Sequence, residues 1–256
     1  MENRSIYFVG AGSGAKDLIT LRGHGLICQA DIIVYAGSLV NPELLEDVKK
    51  GCDIYNSAYM NLEEVMEVMI RGYEQRKLVV RLHTGDPCVY GAIREQMDRL
   101  KAKGIPYEVC PGVSSFCGAA AALKAEYTLP NVSQTVIITR MEGRTEVPER
   151  EKLSLLAAHH ATMVIFLSVG LAEQVQEELL KGYEEDTNCA VVYKATWPEE
   201  KIVRGKLKNL TQMVRENGIT KTALITVGDF LGDDYELSKL YDKEFETEFR
   251  KGEESH

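Results

Sequence analysis

Short apolar runs alternate with helix-periodic stretches through the first half of this chain, and that alternation limits its fold more than any other feature. The runs lie at 6–10, 31–36, 52–56, 78–83 and 107–110, with helical patterns near 17–30, 42–49, 62–76 and 91–103 between them. Strand followed by helix followed by strand predicts a mainly parallel sheet covered on both faces. The clearest helix is 62–76, where Leu62, Val65, Met66, Met69, Ile70 and Tyr73 keep the three-and-four spacing of one buried face. Asn61 is its expected N-cap, and Glu63 and Glu64 place negative charge in the first turn.

Pro111-Gly112-Val113-Ser114-Ser115 then punctuates the chain, and small residues follow from Gly118 to Ala122, suited to a closely packed helix. The expectation is two α/β domains, 1–112 and 113–256. The second half has β-type runs at 135–139, 163–167, 190–193, 202–205 and 223–227. The stretch 202–207 reads as a hairpin partner of 190–196 with Trp197-Pro198-Glu199-Glu200 at the tip, so this second sheet is expected to be mixed. The polar tail, 251–256, is expected to fray.

Four turns of small residues stand at predicted strand ends: Gly10–Gly14, Gly37-Ser38, Thr84–Pro87 and Pro111–Ser115. In a parallel sheet they gather at the carboxyl edge, where ligands bind. The first turn, GAGSGA, formally fits a dinucleotide fingerprint. A nicotinamide dehydrogenase also needs an acidic residue at the end of the second strand, to hold a ribose hydroxyl. That strand ends Tyr35-Ala36-Gly37-Ser38, with Asp31 at the wrong end. The third turn is the most distinctive, because the apolar run VVRLH stops at Thr84-Gly85-Asp86-Pro87 and leads into CVYG. His83 and Asp86 have no further His, Cys or Asp at ligand spacing, so no protein-bound metal is expected. The net charge of −9 argues against a nucleic-acid partner. No apolar run reaches the about 18 residues that span a bilayer. The six cysteines show no CxxC and read as reduced thiols. With no signal peptide visible before the first strand, a cytoplasmic protein is expected.

Taken together, several blocks resemble the tetrapyrrole (corrin/porphyrin) methyltransferases that use S-adenosylmethionine. They are YFVGAGSGAKDLITLRG from Tyr7, YAGSLV from Tyr35, LHTGDPCVYGAIREQM from Leu82, VCPGVSSFCGAAAAL from Val109, ITRMEGRTEVPE from Ile138, VIFLSVG from Val164, VVYKATWPEE from Val191 and TALITVGDFL from Thr222. Within that family the blocks look most like the branch that methylates C11 of precorrin-4-type rings. Methylation at another ring position is the alternative, either C2/C7 of uroporphyrinogen or C17 of precorrin-3. A scaffold that binds cofactor without turnover is a third reading.

The resemblance implies two α/β domains with the cofactor in a cleft between them, S-adenosylhomocysteine as product, a large anionic tetrapyrrole substrate and a homodimer. By position it assigns the cofactor to Thr84, Gly85, Asp86 and Val89, to Ser114 and Ser115, and to Leu167, Ala195, Thr222, Ala223 and Leu224 of the second domain. In relatives the first turn usually reads GPGDPDL; here it is GSGAKDL, with Ser13 and Lys16 in place of prolines. Ser13 is kept among the cofactor contacts, in a turn expected to be less rigid. Asp86 is a candidate acceptor for the cofactor's ammonium group. Glu95 matches a functional glutamate of related ring methylases; if the helix begins near Gly91, it lies one turn on and faces the same edge as Tyr90. It is the expected proton-handling residue, and Tyr90 is expected to touch the ring. Arg140 and Arg144, flanking Glu142, are the candidate carboxylate binders.

Overall fold

The structure is a computed structural model that describes residues 5–252. The end of the polar tail, 253–256, lies outside the described residues. The chain forms two compact units: one runs through Ala122 and takes back Lys194–Lys201, and the other comprises Leu123–Tyr193 and the chain from Ile202 onward. The division thus falls after Ala122, where the sequence reading placed it after Gly112. All but the last residue of helix Ser115–Leu123 stays with the first unit, where Gly118 packs closely on the side chains of Ser13 and Thr196. A Cβ on Gly118 would lie 2.7 Å from the Cβ of Ser13.

The first unit is a five-stranded parallel sheet. Its elements run β1 (Ile6–Gly10), α1 (Leu21–Gln29), β2 (Ile32–Tyr35), β3 (Asp53–Asn56), α2 (Leu62–Glu74), β4 (Val79–His83), α3 (Arg94–Ala102), β5 (Tyr107–Cys110) and α4 (Ser115–Leu123). The strand order is β3-β2-β4-β1-β5. Alternate residues of each strand feed opposite faces. Ile6, Phe8, Val34 and Val79 pack with Val65, Met66 and Met69 of α2 and Leu100 of α3. Val9, Ile33, Val80 and Leu82 pack with Ile27 of α1 and Leu44 on the other side. Each such buried aliphatic side chain contributes about 1.5–3 kcal/mol. The Asn61 cap forms as expected and is completed by a capping box. The Glu64 amide donates to Asn61 Oδ1 at 2.9 Å, and the Asn61 amide donates to Glu64 Oε2 at 2.7 Å.

Three helical expectations are corrected. The stretch 17–30 is a 3-10 turn, Lys16–Leu18, followed by α1, which Thr20 caps by accepting from the Gly23 amide at 3.1 Å. The stretch 42–49 is only a 3-10 helix, Pro42–Asp47. The stretch 91–103 begins at Arg94, because Tyr90 (φ 56°) and Ala92 (φ 49°) are left-handed and cannot start a right-handed helix.

The second unit carries a mixed five-stranded sheet. Its elements are β6 (Val136–Arg140), α5 (Leu153–Ala157), β7 (Thr162–Phe166), α6 (Ala172–Leu179), β8 (Asn188–Tyr193), β9 (Lys201–Lys206), α7 (Leu210–Glu216) and β10 (Ala223–Val227). The order is β6-β7-β10-β8-β9, with β6 parallel to β7 and β10 antiparallel to both its neighbours. The expected pairing of 202–207 with the 190s is present as the β8–β9 neighbours, and residues 194–201 between them belong to the first unit. The six cysteines are all free. Among the described residues, no helix is long and apolar enough to cross a membrane.

Candidate functional site

The parallel order sets the first site. From β1 the chain crosses to β2, and from β4 it crosses past β1 to β5. Strands β1 and β4 are adjacent and parallel, so the turns that leave them stand side by side at the carboxyl edge, where open α/β sheets bind ligands. Three of the four small-residue turns meet there. The Ala11 amide donates to the His83 carbonyl at 2.7 Å, and Gly12 and Gly85 exchange backbone hydrogen bonds of 3.3 and 2.9 Å. Gly10, Gly85 and Gly112 touch backbone to backbone: a Cβ on Gly112 would stand 2.2 Å from the Gly85 oxygen and 2.7 Å from Gly10 Cα. Gly85 itself is left-handed, with φ 59°. The fourth turn, Gly37-Ser38, lies at the same edge but packs on Ala58 instead.

Asp86 locks this meeting point. The Cys88 amide donates to its Oδ1 at 2.8 Å, closing the turn, and the Gly112 amide donates to its Oδ2 at 2.9 Å, tying the turn to the segment before α4. Hydrogen bonds to a carboxylate are about twice as strong as neutral ones. Ser114 is buried, and its carbonyl accepts from the Cys117 and Gly118 amides as α4 begins. Ser115 and Val89 are half-buried, and Thr84 is exposed.

The first turn does without its prolines. The Asn41 side chain donates to the Gly14 carbonyl at 3.0 Å, the Ala15 amide donates to Thr196 Oγ1 at 3.1 Å, and Lys16 pairs with Asp47 at 2.9 Å. Trp197 packs against Gly14, whose Cβ would fall 2.1 Å from the indole. Expected to be less rigid, the turn is cross-braced. Ser13, only 6% exposed, spends its hydroxyl on Thr196, 3.1 Å away. A cavity of about 710 Å³ opens beside it, lined by Lys16, Asp17, His24, Asn41, Thr196 and Trp197. Ala195, assigned by position to the second domain, is a buried residue of the first unit.

The helical step expected to join Glu95 to the edge of Tyr90 is absent. Glu95 is exposed on the first turn of α3, and the helical step from Gly91 does not exist because residues 91–93 are not helical. Tyr90 is 45% exposed on the left-handed segment that precedes it. Arg140 is half-buried and donates to the carbonyls of Met141, Thr145 and Glu146, so its guanidinium closes its own loop. Arg144, at the exposed crest of that loop, is left to face solvent.

In the second unit, the remaining candidates gather at one edge of the sheet. Register places Arg140 beside Phe166 and Ala223 beside Tyr193, so the ends of β6, β7 and β8 and the start of β10 lie together. Leu167 (φ 56°) and Thr222 (φ 55°) are left-handed there, and Leu167 is 69% exposed. Non-glycine residues held in that region cost on the order of 1–2 kcal/mol each and cluster at ligand sites. Ala223 is half-buried and Leu224 buried.

Sequence reasoning missed Thr196 and the burial of Arg81 and His83 beneath the Asp86 turn. Arg81 and His83 share the face of β4 that Val79 buries. His83 is 4% exposed, and its Nε2 has no hydrogen-bond partner among the described residues. Burial, and secondly the Arg81 charge, push its imidazole down to about 3, so it is neutral at pH 7. The unfolded chain ionises near pH 6.5. Stability from His83 is therefore intact above about pH 6.5 and drains as pH falls toward about 3. Between pH 7 and 5 the protein should lose about 2 kcal/mol of unfolding free energy that His83→Phe does not lose. Urea titrations of both proteins at the two pH values check this, and parallel losses would refute it.

Against this geometry, the family model described as Tetrapyrrole (Corrin/Porphyrin) Methylases matches residues 5–211. The chain is 58% identical over 97% of its length, and 97% of the relative's, to the cobalt-precorrin-4 C(11)-methyltransferase of Methanocaldococcus jannaschii. It superposes on a crystal structure of a cobalt precorrin-4 methyltransferase with a TM-score of 0.87, at 50% identity, covering 90% of this chain and 96% of that one. It also superposes on the uroporphyrin-III C-methyltransferase of Thermus thermophilus complexed with S-adenosylhomocysteine, with a TM-score of 0.75 at 25% identity, covering 89% and 98%.

Proposed function

The chain belongs to the tetrapyrrole (corrin/porphyrin) methylases, and from that membership we propose that it moves the methyl group of S-adenosylmethionine to C11 of a precorrin-4-type ring. Cobalt already sits in that ring on this reading, as the names of the Methanocaldococcus jannaschii relative and of the 50% identical solved structure have it. The observation that carries the assignment is the near-full-length likeness to the first of these. The glycine meeting point supports it, because it packs the turns after β1, β4 and β5 backbone to backbone, as the floor of a cradle for the cofactor.

The cofactor supplies a methyl group activated on a positively charged sulfur. The chain must align it with the ring carbon, keep water away and handle charge and proton. Thr84, Gly85 and Val89, with Ser114 and Ser115, are the first-unit groups proposed to hold it. Leu167, Thr222, Ala223 and Leu224 are those of the second. Asp86 acts through the turn: both of its oxygens already accept backbone amides, so its task is to hold the cradle's shape. Ser13 and Ala195 brace the first turn from within. Glu95, exposed and free of ion pairs to its own helix, takes the proton-handling role. Arg144 meets substrate carboxylates, and Arg140 sets the loop that presents it. The same reading takes the enzyme to be a cytoplasmic homodimer, on family resemblance alone.

Calorimetry should show S-adenosylhomocysteine binding at micromolar or tighter affinity and no heat from NAD. Incubation with a cobalt-containing precorrin-4 ring, followed by NMR location of the new methyl, should place it at C11. NAD binding in place of S-adenosylhomocysteine, or a methyl elsewhere on the ring, would overturn the reading at the level concerned.

A further inference from the structure

Arg81 is a cation in the middle of a parallel strand. It sits on β4 between Phe8 of β1 and Val34 of β2, and it is 7% exposed. Burial alone shifts its guanidinium, down to about 10, with no carboxylate among the causes. A buried charge without an opposite partner is an expensive arrangement, and an aliphatic side chain would pack the same face without it. What the arginine does that an aliphatic residue cannot is carry hydrogen bonds from one layer to the next. Its Nη1 donates to the Val34 carbonyl at 3.0 Å, and its Nε donates to Gln96 Oε1 of α3 at 3.3 Å. Gln96 is itself 4% exposed, and its Nε2 donates onward to the Ala92 carbonyl at 3.0 Å.

The chain of bonds ends on the segment that follows the Asp86 turn. Tyr90 and Ala92 are both left-handed, and between them Gly91 folds back on Pro87 so tightly that a Cβ would lie 2.1 Å from the Pro87 oxygen. Alanine has no intrinsic preference for that conformation, so tertiary contacts must impose it. The bond from Gln96 to the Ala92 carbonyl is such a contact. The Asp86 turn, by contrast, has its own lock on Gly112 and does not depend on this strut.

We propose that Arg81 and Gln96 are positioning residues for the ring substrate: a buried strut, Val34–Arg81–Gln96–Ala92, that holds Tyr90 on its exposed left-handed path beside the cofactor cradle. The proposal rests on the methyltransferase reading above. Its two ends are separable: Gln96 accepts from Arg81 with its oxygen and donates to Ala92 with its nitrogen. Gln96→Glu keeps the acceptor and gives Arg81 a counter-charge, but has no N–H for Ala92.

Gln96→Glu should raise KM for the cobalt-containing precorrin-4 ring about tenfold with kcat within about twofold. S-adenosylhomocysteine affinity by calorimetry should change less than about twofold. Amide hydrogen exchange should accelerate at 89–93 and not in β4. Gln96→Met, which removes both bonds but packs as an apolar residue, should give the same KM change if the glutamate variant folds poorly. An unchanged KM, or unchanged exchange at 89–93, overturns the strut as a positioning device. A cofactor affinity that falls in step with KM places its effect on the cradle instead and also overturns it. If the wild-type enzyme methylates no such ring, the functional reading fails and the ring role with it. The exchange measurement then still decides whether the strut holds the segment.

Discussion

Gly112→Ala is expected to abolish S-adenosylhomocysteine binding and to lower the thermal midpoint by about 10 °C. The added methyl would stand 2.2 Å from the Gly85 oxygen, 2.7 Å from Gly10 Cα and 3.0 Å from the Gly10 carbonyl carbon. All three are backbone atoms, so no side chain can swing aside. Overpacking in a well-packed interior costs about 1–3 kcal/mol when neighbours can repack. Here relief requires moving the ends of two parallel strands, so the upper end of that range applies. At about 2–4 °C per kcal/mol for a chain of this size, the shift follows. Binding suffers more than stability, because the displaced atoms are those of the Gly85 turn itself. Gly25→Ala is the control. It lies inside α1 with nothing within 4 Å of the new Cβ, and should be neutral or stabilising by about 0.5–1 kcal/mol. Calorimetric binding and thermal unfolding of both variants check the pair. Normal cofactor affinity in Gly112→Ala would remove the glycine meeting point from the binding site.

The strands that carry the glycine turns are legible in the sequence. β1, β5 and β10 fall on the expected residues, and the other strands of both sheets lie within a residue or two of theirs, because short apolar runs bounded by turn residues have few other ways to bury themselves. The glycine turns were legible as turns, and parallel topology then forces them to one edge. The misplaced helix starts have a common cause. Tyr90 and Ala92 are ordinary residues in a left-handed conformation set by Gln96 and by the fold-back on Pro87, and no local propensity announces that. The unforeseen partners of the site candidates share another. Ser13 pairs with a residue 183 positions away, and Arg140 turns its guanidinium into its own loop. A polar side chain's partner is a tertiary fact, and sequence spacing cannot choose between ligand and protein. Arg81 is the residue whose signal went unused, since a charge inside the run VVRLH already marks a buried polar group that must find acceptors.

The same distinction between ligand contact and protein contact governs Asp86. Asp86→Ala should weaken S-adenosylhomocysteine binding by at least about a hundredfold, while Glu95→Gln should leave it within about threefold and reduce turnover far more. The carboxylate of Asp86 joins two segments by amide hydrogen bonds of 2.8 and 2.9 Å. Bonds to a charged acceptor contribute about 1.5–3 kcal/mol each, so losing both releases the turn from Gly112 and leaves two amides to find water. If the loss falls wholly on the bound state, 2.8 kcal/mol, about one such bond, is already a hundredfold in affinity. Asp86→Asn separates shape from charge. The amide oxygen can still accept from one backbone N–H, but its nitrogen faces the other donor, so about half the loss in binding free energy should remain. A direct contact between Asp86 and the cofactor's ammonium predicts a different order, with the asparagine variant as poor as alanine and the deficit shrinking as salt screens the charge. Calorimetric titration of the three variants at low and high salt distinguishes these. An asparagine variant midway between wild type and alanine, insensitive to salt, is the outcome expected from a carboxylate whose oxygens are already committed to the turn.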